Sequence, residues 1–215
     1  EEFFSLGVDV ITSGNHIWDK KETIDYVNQE NRLLRPSNLA EGSPGNGYGI
    51  YLTKNKKFKV GVINLMGNVF MRKTEDVFDS ANKIKKKIIL KKNVDFIVVD
   101  FHGEITSEKM AIGHFFDGYS TGVVGTHTHV PTADTRILEK GTAYQTDIGM
   151  CGDYNSVIGM NKENSLKRFL KKKESIKNFP AEGSATLSGI IIEGDNNTGL
   201  ANKITRLIEG GVLKK

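Results

Sequence analysis

The chain carries five histidines, and four of them stand directly after short apolar runs. His16 closes the stretch DVITSGNH, His102 closes FIVVDFH, and His127 and His129 lie in VVGTHTH. An imidazole after a buried strand is ordinarily a satisfied structural residue, and Gly-Asn by itself marks many turns. H-x-H says more, because two imidazoles two residues apart readily chelate. The sequence joins GNH, a strand ending in H-G-E, and GTHTH, in that order. In layered α/β folds the loops beyond the carboxyl ends of strands converge on one crevice. Asn15, His16, His102, His127 and His129 are therefore expected to meet. Imidazole suits zinc, iron, manganese and similar ions, and the Asn15 amide oxygen is a harder donor.

The elements that must carry these loops follow from the apolar pattern. Residues 8–11 read as a buried strand leading into GNH. Asp19 is placed to cap a helix over 20–29. Residues 48–53 and 58–64 read as neighbouring strands. Residues 80–92 are amphipathic, with Ile84, Ile88 and Ile89 on one face. Residues 94–101 form a continuous β-branched strand of the kind covered on both faces. A helix over 106–116 is expected, opened by Thr106-Ser107-Glu108-Lys109. A short strand at 122–126 follows, then a hairpin of 136–138 with 142–146. A helix over 165–173, a strand at 186–193 and a weaker element at 200–209 complete the pattern. Strand–helix–strand repeats with hairpins argue for α/β layers and mixed sheets. Residues 1–6 read as the last turn of a helix closed by Gly7, so the chain is expected to begin in mid-domain.

Composition narrows the classes. The 215 residues suit one domain spanning 1–215. No run approaches the ~18 consecutive apolar residues of a membrane span, and the acidic start EEFFSLGVDV does not read as a secretory signal. Cys151 is the one cysteine, which fits a reducing cytoplasm and leaves no intrachain disulfide. Net charge is +4, from 30 basic and 26 acidic residues. The lysines cluster at 54–59, 83–92 and 171–173. Such clusters can hold RNA, but no aromatic residues alternate with them as in a single-strand groove, and a solvated helix face explains them as well. The Gly-rich EGSPGNGYG is not a phosphate loop, because no G-K-[ST] follows.

GNH, the strand-terminal His and G-x-H-x-H resemble the last three motifs of the calcineurin-like metallophosphoesterases. The likeness extends to the bacterial YmdB-like subgroup. It is carried by VDVITSGNHIWDKKE, RPSNLAEGSPGNGYGIY, VINLMGNVFM, VDFHGEITSEKMAIGHFFDG, GVVGTHTHVPTADTRIL, GTAYQTDIGMCGDYNSVIGM and SGIIIEGDNNTGLANKI. The resemblance implies a four-layer α/β/β/α sandwich with mixed sheets and two divalent transition metals (iron, manganese or zinc). Carried over by position, Asn15, His102 and His127 would bind one metal and His129 the other. His16 would act as general acid on the leaving group or hold the phosphate. The implied reaction is hydrolysis of cyclic nucleotide phosphodiesters, 2′,3′ or 3′,5′, and the implied location is bacterial cytoplasm. An RNA-processing partner and a homo-oligomer are further expectations, with no membrane partner.

The family pattern also begins with an Asp-bearing strand and a G-E-N strand that this sequence lacks. The expectation is that about fifty residues, a first βαβ unit, precede residue 1 in the full pattern. Their lack motivates a rival reading, a non-catalytic scaffold binding a nucleotide or a protein partner. Around the histidines, Asp100, Glu104 and Asp134 are candidates to orient imidazoles. His114, Trp18, Asn38 and Asn64 are expected to have packing or turn roles first, Asp147 is a candidate to orient the site loop, and Cys151 reads as incidental.

Overall fold

The computed structural model describes residues 1–170 and 177–213. A six-stranded mixed sheet is its centre. Strands β3 (Tyr48–Leu52) and β4 (Lys59–Met66) pair antiparallel. From β4 the chain runs through helix α3 (Val77–Lys85), strand β5 (Phe96–His102), helix α4 (Thr106–Phe115) and strand β6 (Gly122–Thr126), and β4, β5 and β6 are parallel. A hairpin of β7 (Arg136–Ile137) and β8 (Ala143–Gln145) follows, with β8 parallel to β6. Upstream lie a one-turn helix α1 (Glu2–Ser5), strand β1 (Ile11–Thr12), helix α2 (Glu22–Gln29) and strand β2 (Leu33–Leu34), with β1 and β2 parallel. Downstream, β9 (Gly152–Asp153), helix α5 (Lys162–Phe169), β10 (Ala185–Gly194) and β11 (Ala201–Gly210) follow, and the three strands make an antiparallel sheet ordered β11-β10-β9.

Alternation along β4 and β5 sorts the two faces of the large sheet. Ile63 and Leu65, then Ile97, Val99 and Phe101, turn to one face and bury against Val77, Ala81 and Ile84 of α3 and Ile112 of α4. Val60, Val62, Val98, Asp100, Val124 and Thr126 turn to the other face. There they line an apolar cavity of about 610 Å³, together with Asp9, Val10 and Thr12. The mixed α/β architecture with two mixed or antiparallel sheets is the one the sequence pattern implies.

Several local expectations change. The strand expected at 8–11 is only Ile11–Thr12, and Val8 is exposed, because β2 alone pairs with it. Helix α2 starts at Glu22 without a side-chain cap; Asp19 bonds to His16 and Arg72 instead. Helix α3 starts earlier than 80, because the Asp76 carboxylate accepts the Asp79 amide at 2.8 Å. It also ends at Lys85, although Ile88 still buries. The box at Thr106 does not form, since Ile105 occupies the cap position and Glu108 is turned inward. Helix α5 begins at Lys162, capped by Asn161, and the expected stretch 171–173 lies outside the described residues. The element at 200–209 is a full strand, because β10 pairs with it along its length.

Candidate metal centre

Register brings the histidine loops together. In the parallel β4-β5-β6 ladder, Met66 stands beside His102 and His102 beside Thr126. His102 therefore ends the central strand, with His127 and His129 one strand away. The GNH loop crosses above it, pinned by Ser13, whose amide donates to Asn64 Oδ1 at 3.1 Å and whose hydroxyl donates to the Leu34 carbonyl at 2.8 Å. Contact is close: a Cβ at Gly14 would lie 2.2 Å from His102 Nε2, so only glycine fits there.

Partners fix the imidazole tautomers. The Thr126 hydroxyl donates to Asp100 Oδ1 at 2.8 Å, so at 3.0 Å from His102 Nδ1 it serves as acceptor. His102 thus carries its proton on Nδ1 and presents a lone pair at Nε2. Glu104 Oε2 lies 3.0 Å from His127 Nε2, which puts that proton on Nε2 and leaves the Nδ1 lone pair free. His129 Nδ1 donates to the Ile158 carbonyl at 2.8 Å, so its Nε2 is free as well. Burial pushes His102 down to about 4, with the neighbouring His127 adding to it, and burial lowers His127 too. Both imidazoles are neutral at pH 7.

Three acceptor atoms then face one another. His102 Nε2 stands 2.8 Å from Asn15 Oδ1 and 3.1 Å from His127 Nδ1. Lone pairs repel unless a positive centre sits among them. Adjacent donors of one ion with bonds of about 2.0–2.2 Å are separated by about 3 Å. The donor set therefore fits one divalent cation, with two imidazoles and one amide oxygen. Among the described residues no group of three or more His, Cys, Asp or Glu side chains is arranged to hold a metal; the third atom of this set is the Asn15 amide oxygen, 2.8 Å from His102 Nε2. The backbone at this site is unusual: His127 has φ 107° and His129 φ 68°. Such conformations in non-glycine residues cost about 1–3 kcal/mol and cluster where function requires them.

His16 is brought beside the cluster in sequence but points to other partners. Its Nδ1 donates to Asp19 Oδ2 at 2.6 Å, with the imidazole side chain 75% exposed. The hydrogen bond from His16, aided by Arg72, holds the Asp19 carboxyl below the usual range against a smaller desolvation effect. Arg72 Nη2 lies 3.4 Å from Asp19 Oδ1. Sequence reading passed over Arg72, which sits in no motif. Of the candidate orienting acids, Glu104 reaches His127 directly and Asp100 reaches His102 through Thr126. Asp134 instead holds Thr132, Thr146 and Arg136. Asn38 and Asn64 are fully buried; Asn38 clasps Met66, and Asn64 joins the GNH loop to β4. His114 is exposed on α4.

The fold and kin are those of phosphoester hydrolases. The chain belongs to the YmdB-like family, whose model matches residues 1–207. It is 46% identical over 202 residues to a protein of Bacillus subtilis (strain 168) named 2′,3′-cyclic-nucleotide 2′-phosphodiesterase, covering 94% of this chain and 75% of that one. A solved structure described as a novel phosphatase of Mycoplasma pneumoniae superposes with a TM-score of 0.81 at 40% identity, covering 98% of this chain and 76% of that one. A hypothetical protein of Thermus thermophilus gives 0.84 at 34% identity, covering 97% and 79%. The family resemblance drawn from the motifs therefore holds, and the chain is a hydrolase. No helix among the described residues is long and apolar enough to cross a membrane.

Proposed function

We propose that the protein hydrolyses ribose cyclic phosphodiesters of the 2′,3′ class, using divalent metal held by Asn15, His102 and His127, with His129 contributing to a second ion. The observation that carries this reading is the convergence of Asn15 Oδ1, His102 Nε2 and His127 Nδ1, each neighbouring pair within 3.1 Å. The name of the Bacillus subtilis relative supports the substrate class. Iron, manganese and zinc all suit a donor set of imidazole and amide oxygen. When bound, divalent metal polarises phosphoryl oxygens and acidifies water, which an anionic diester otherwise resists.

The chain's own residues supply the rest. Glu104 and Thr126 keep the two imidazoles in the tautomers that face the site. Asp19 keeps His16 Nδ1 protonated, so Nε2 is the atom left to exchange a proton with the departing ribose oxygen. Such proton transfer is worth about 10²–10⁴-fold. Arg72 places a guanidinium on the same side as His16, where an anionic phosphate is favoured.

The test is hydrolysis of 2′,3′-cyclic AMP and bis-p-nitrophenyl phosphate by the purified chain with manganese, zinc or ferrous iron. Activity that falls to background in Asn15→Ala and His127→Ala supports the reading, and activity retained in either sinks it. A second reading, a scaffold that binds nucleotide without turnover, is motivated by a converged set of two imidazoles and an amide oxygen that includes no carboxylate. Tight binding of the cyclic nucleotide with no product in the same assay would favour it.

A further inference from the structure

Beneath the strained His127 backbone lies an ion pair that neither the motifs nor the reaction accounts for. Lys109 of α4 and Asp147, two residues beyond β8, meet at 2.6 Å, and each side chain is 1% exposed. Lys109 Nζ also donates to the Thr126 carbonyl at 2.8 Å. The same Asp147 Oδ2 accepts the Thr128 amide at 3.0 Å, and Oδ1 accepts the Gly149 amide at 2.9 Å. The pair thus grips the chain one residue before and one residue after His127. Behind it the packing admits no slack: a Cβ at Gly125 would stand 1.7 Å from the Thr146 carbonyl oxygen. Thr126 is also the acceptor for His102 Nδ1, so the grip bears on both imidazoles.

Stability alone is a poor reason for this arrangement. Two buried charges cost so much desolvation that apolar replacements of similar volume are often neutral or stabilising. A strained φ, by contrast, persists only where its surroundings over-determine it. We propose that Lys109 and Asp147 are a positioning pair that holds residues 126–129 in the conformation presenting His127 and His129 to the metal. This rests on the metal-site reading above. Neither residue touches metal or substrate; both act through the Thr126 carbonyl and the Thr128 amide.

The test uses the full chain and a short series of variants. Lys109→Met or Asp147→Asn alone leaves a buried charge without its partner and is expected to unfold easily. The double variant Lys109→Met/Asp147→Asn removes both charges and should melt within a few degrees of wild type. Its Mn²⁺ dissociation constant, measured by calorimetry, should nonetheless rise about 10–100-fold, the usual cost of losing support behind a ligand. In the metal-free double variant, the Thr128 amide should exchange its hydrogen at least tenfold faster, while the Val99 amide of β5 is unchanged. Asp147→Glu keeps both charges but displaces the carboxylate by one methylene, and the same loss of Mn²⁺ affinity is expected from it should the double variant not fold. Wild-type Mn²⁺ affinity in a folded variant, with wild-type exchange at Thr128, overturns the proposal. If the wild-type chain binds no Mn²⁺, the metal-site reading fails, and amide exchange alone decides the pair: acceleration confined to 126–129 supports it and an unchanged Thr128 rate overturns it.

Discussion

Glu104 offers a test of the cluster's electrostatics that leaves the fold almost untouched. Its carboxylate meets His127 Nε2 at 3.0 Å but is 48% exposed. A pair so open to water contributes about 0–1 kcal/mol to folding. In a chain of this size that is a shift in Tm of at most roughly 2–4 °C. Metal binding responds differently under the proposed function, because the carboxylate fixes the tautomer and orientation of a ring proposed as a ligand. Removing such a partner typically weakens binding about 10–100-fold. Partial exposure puts Glu104→Ala at the low end, near tenfold or about 1.4 kcal/mol. Glu104→Gln keeps a carbonyl oxygen to accept from Nε2 and loses the charge assistance, which is about half the strength of the bond. Its loss should be about 0.7 kcal/mol, or roughly threefold. The assay is calorimetric titration of chelator-treated protein with Mn²⁺, beside thermal unfolding followed by circular dichroism. Equal Mn²⁺ affinity in wild type and Glu104→Ala would refute the reasoning. So would a fall in Tm of about ten degrees, several times the shift expected of an exposed pair.

Three further outcomes follow from the geometry. Gly14→Ala places a methyl 2.2 Å from His102 Nε2, so the ring must move. Overpacking of this kind costs about 1–3 kcal/mol, and both a lowered Tm and loss of Mn²⁺ binding are expected by calorimetry. His16→Gln should cut turnover of 2′,3′-cyclic AMP by about 10²–10⁴-fold with metal content unchanged, and Asp19→Asn should give a smaller loss in the same direction. The third concerns acid. Burial raises Asp100 to about 6, so its contribution to stability is present below its ordinary value of 3.8 and is lost as pH climbs through 6. Burial lowers His102 to about 4, so its contribution is present above 6.5 and is lost as pH falls through 4. Each is worth about 3 kcal/mol at about 1.36 per unit, and between the two ordinary values they oppose. Metal-free wild type should therefore show little net slope from this pair, whereas Asp100→Asn should lose about 3 kcal/mol on going from about pH 6.5 to about pH 4, read as urea midpoints. Parallel pH profiles in the two proteins would count against the assignment.

The sheet was most legible where β-branched residues run without a break. FIVVDFH and GVVGTH are short and continuously apolar with β-branched cores, as strands covered on both faces are, and both are strands whose register joins their terminal residues. That is why the Asn15, His102 and His127 convergence could be anticipated from three distant segments. What escaped were contacts across the sequence by residues with a plausible local role. Asp19 sits where a helix cap would, yet the nearby imidazole and Arg72 compete for its carboxylate more strongly than a free amide does. Glu108 looks like the acid of a capping box, but it buries to accept the Asn68 and Val69 amides. Lys109 reads as part of the box that opens a helix, and its partner lies 38 positions away. Strand β11 looked weak because Lys203 and Arg206 interrupt its apolar pattern, yet both side chains are exposed and the ladder with β10 carries the strand.

The central claim is that Asn15, His102 and His127 share one cation. The most direct measurement is equilibrium dialysis of the 215-residue chain against Mn²⁺ or Zn²⁺, with bound metal counted by elemental analysis beside Asn15→Ala and His127→Ala. At least one tightly held ion per wild-type chain is expected, and its loss in both variants while their circular dichroism stays native. Metal absent from the wild type, or held equally well by the variants, would contradict the claim.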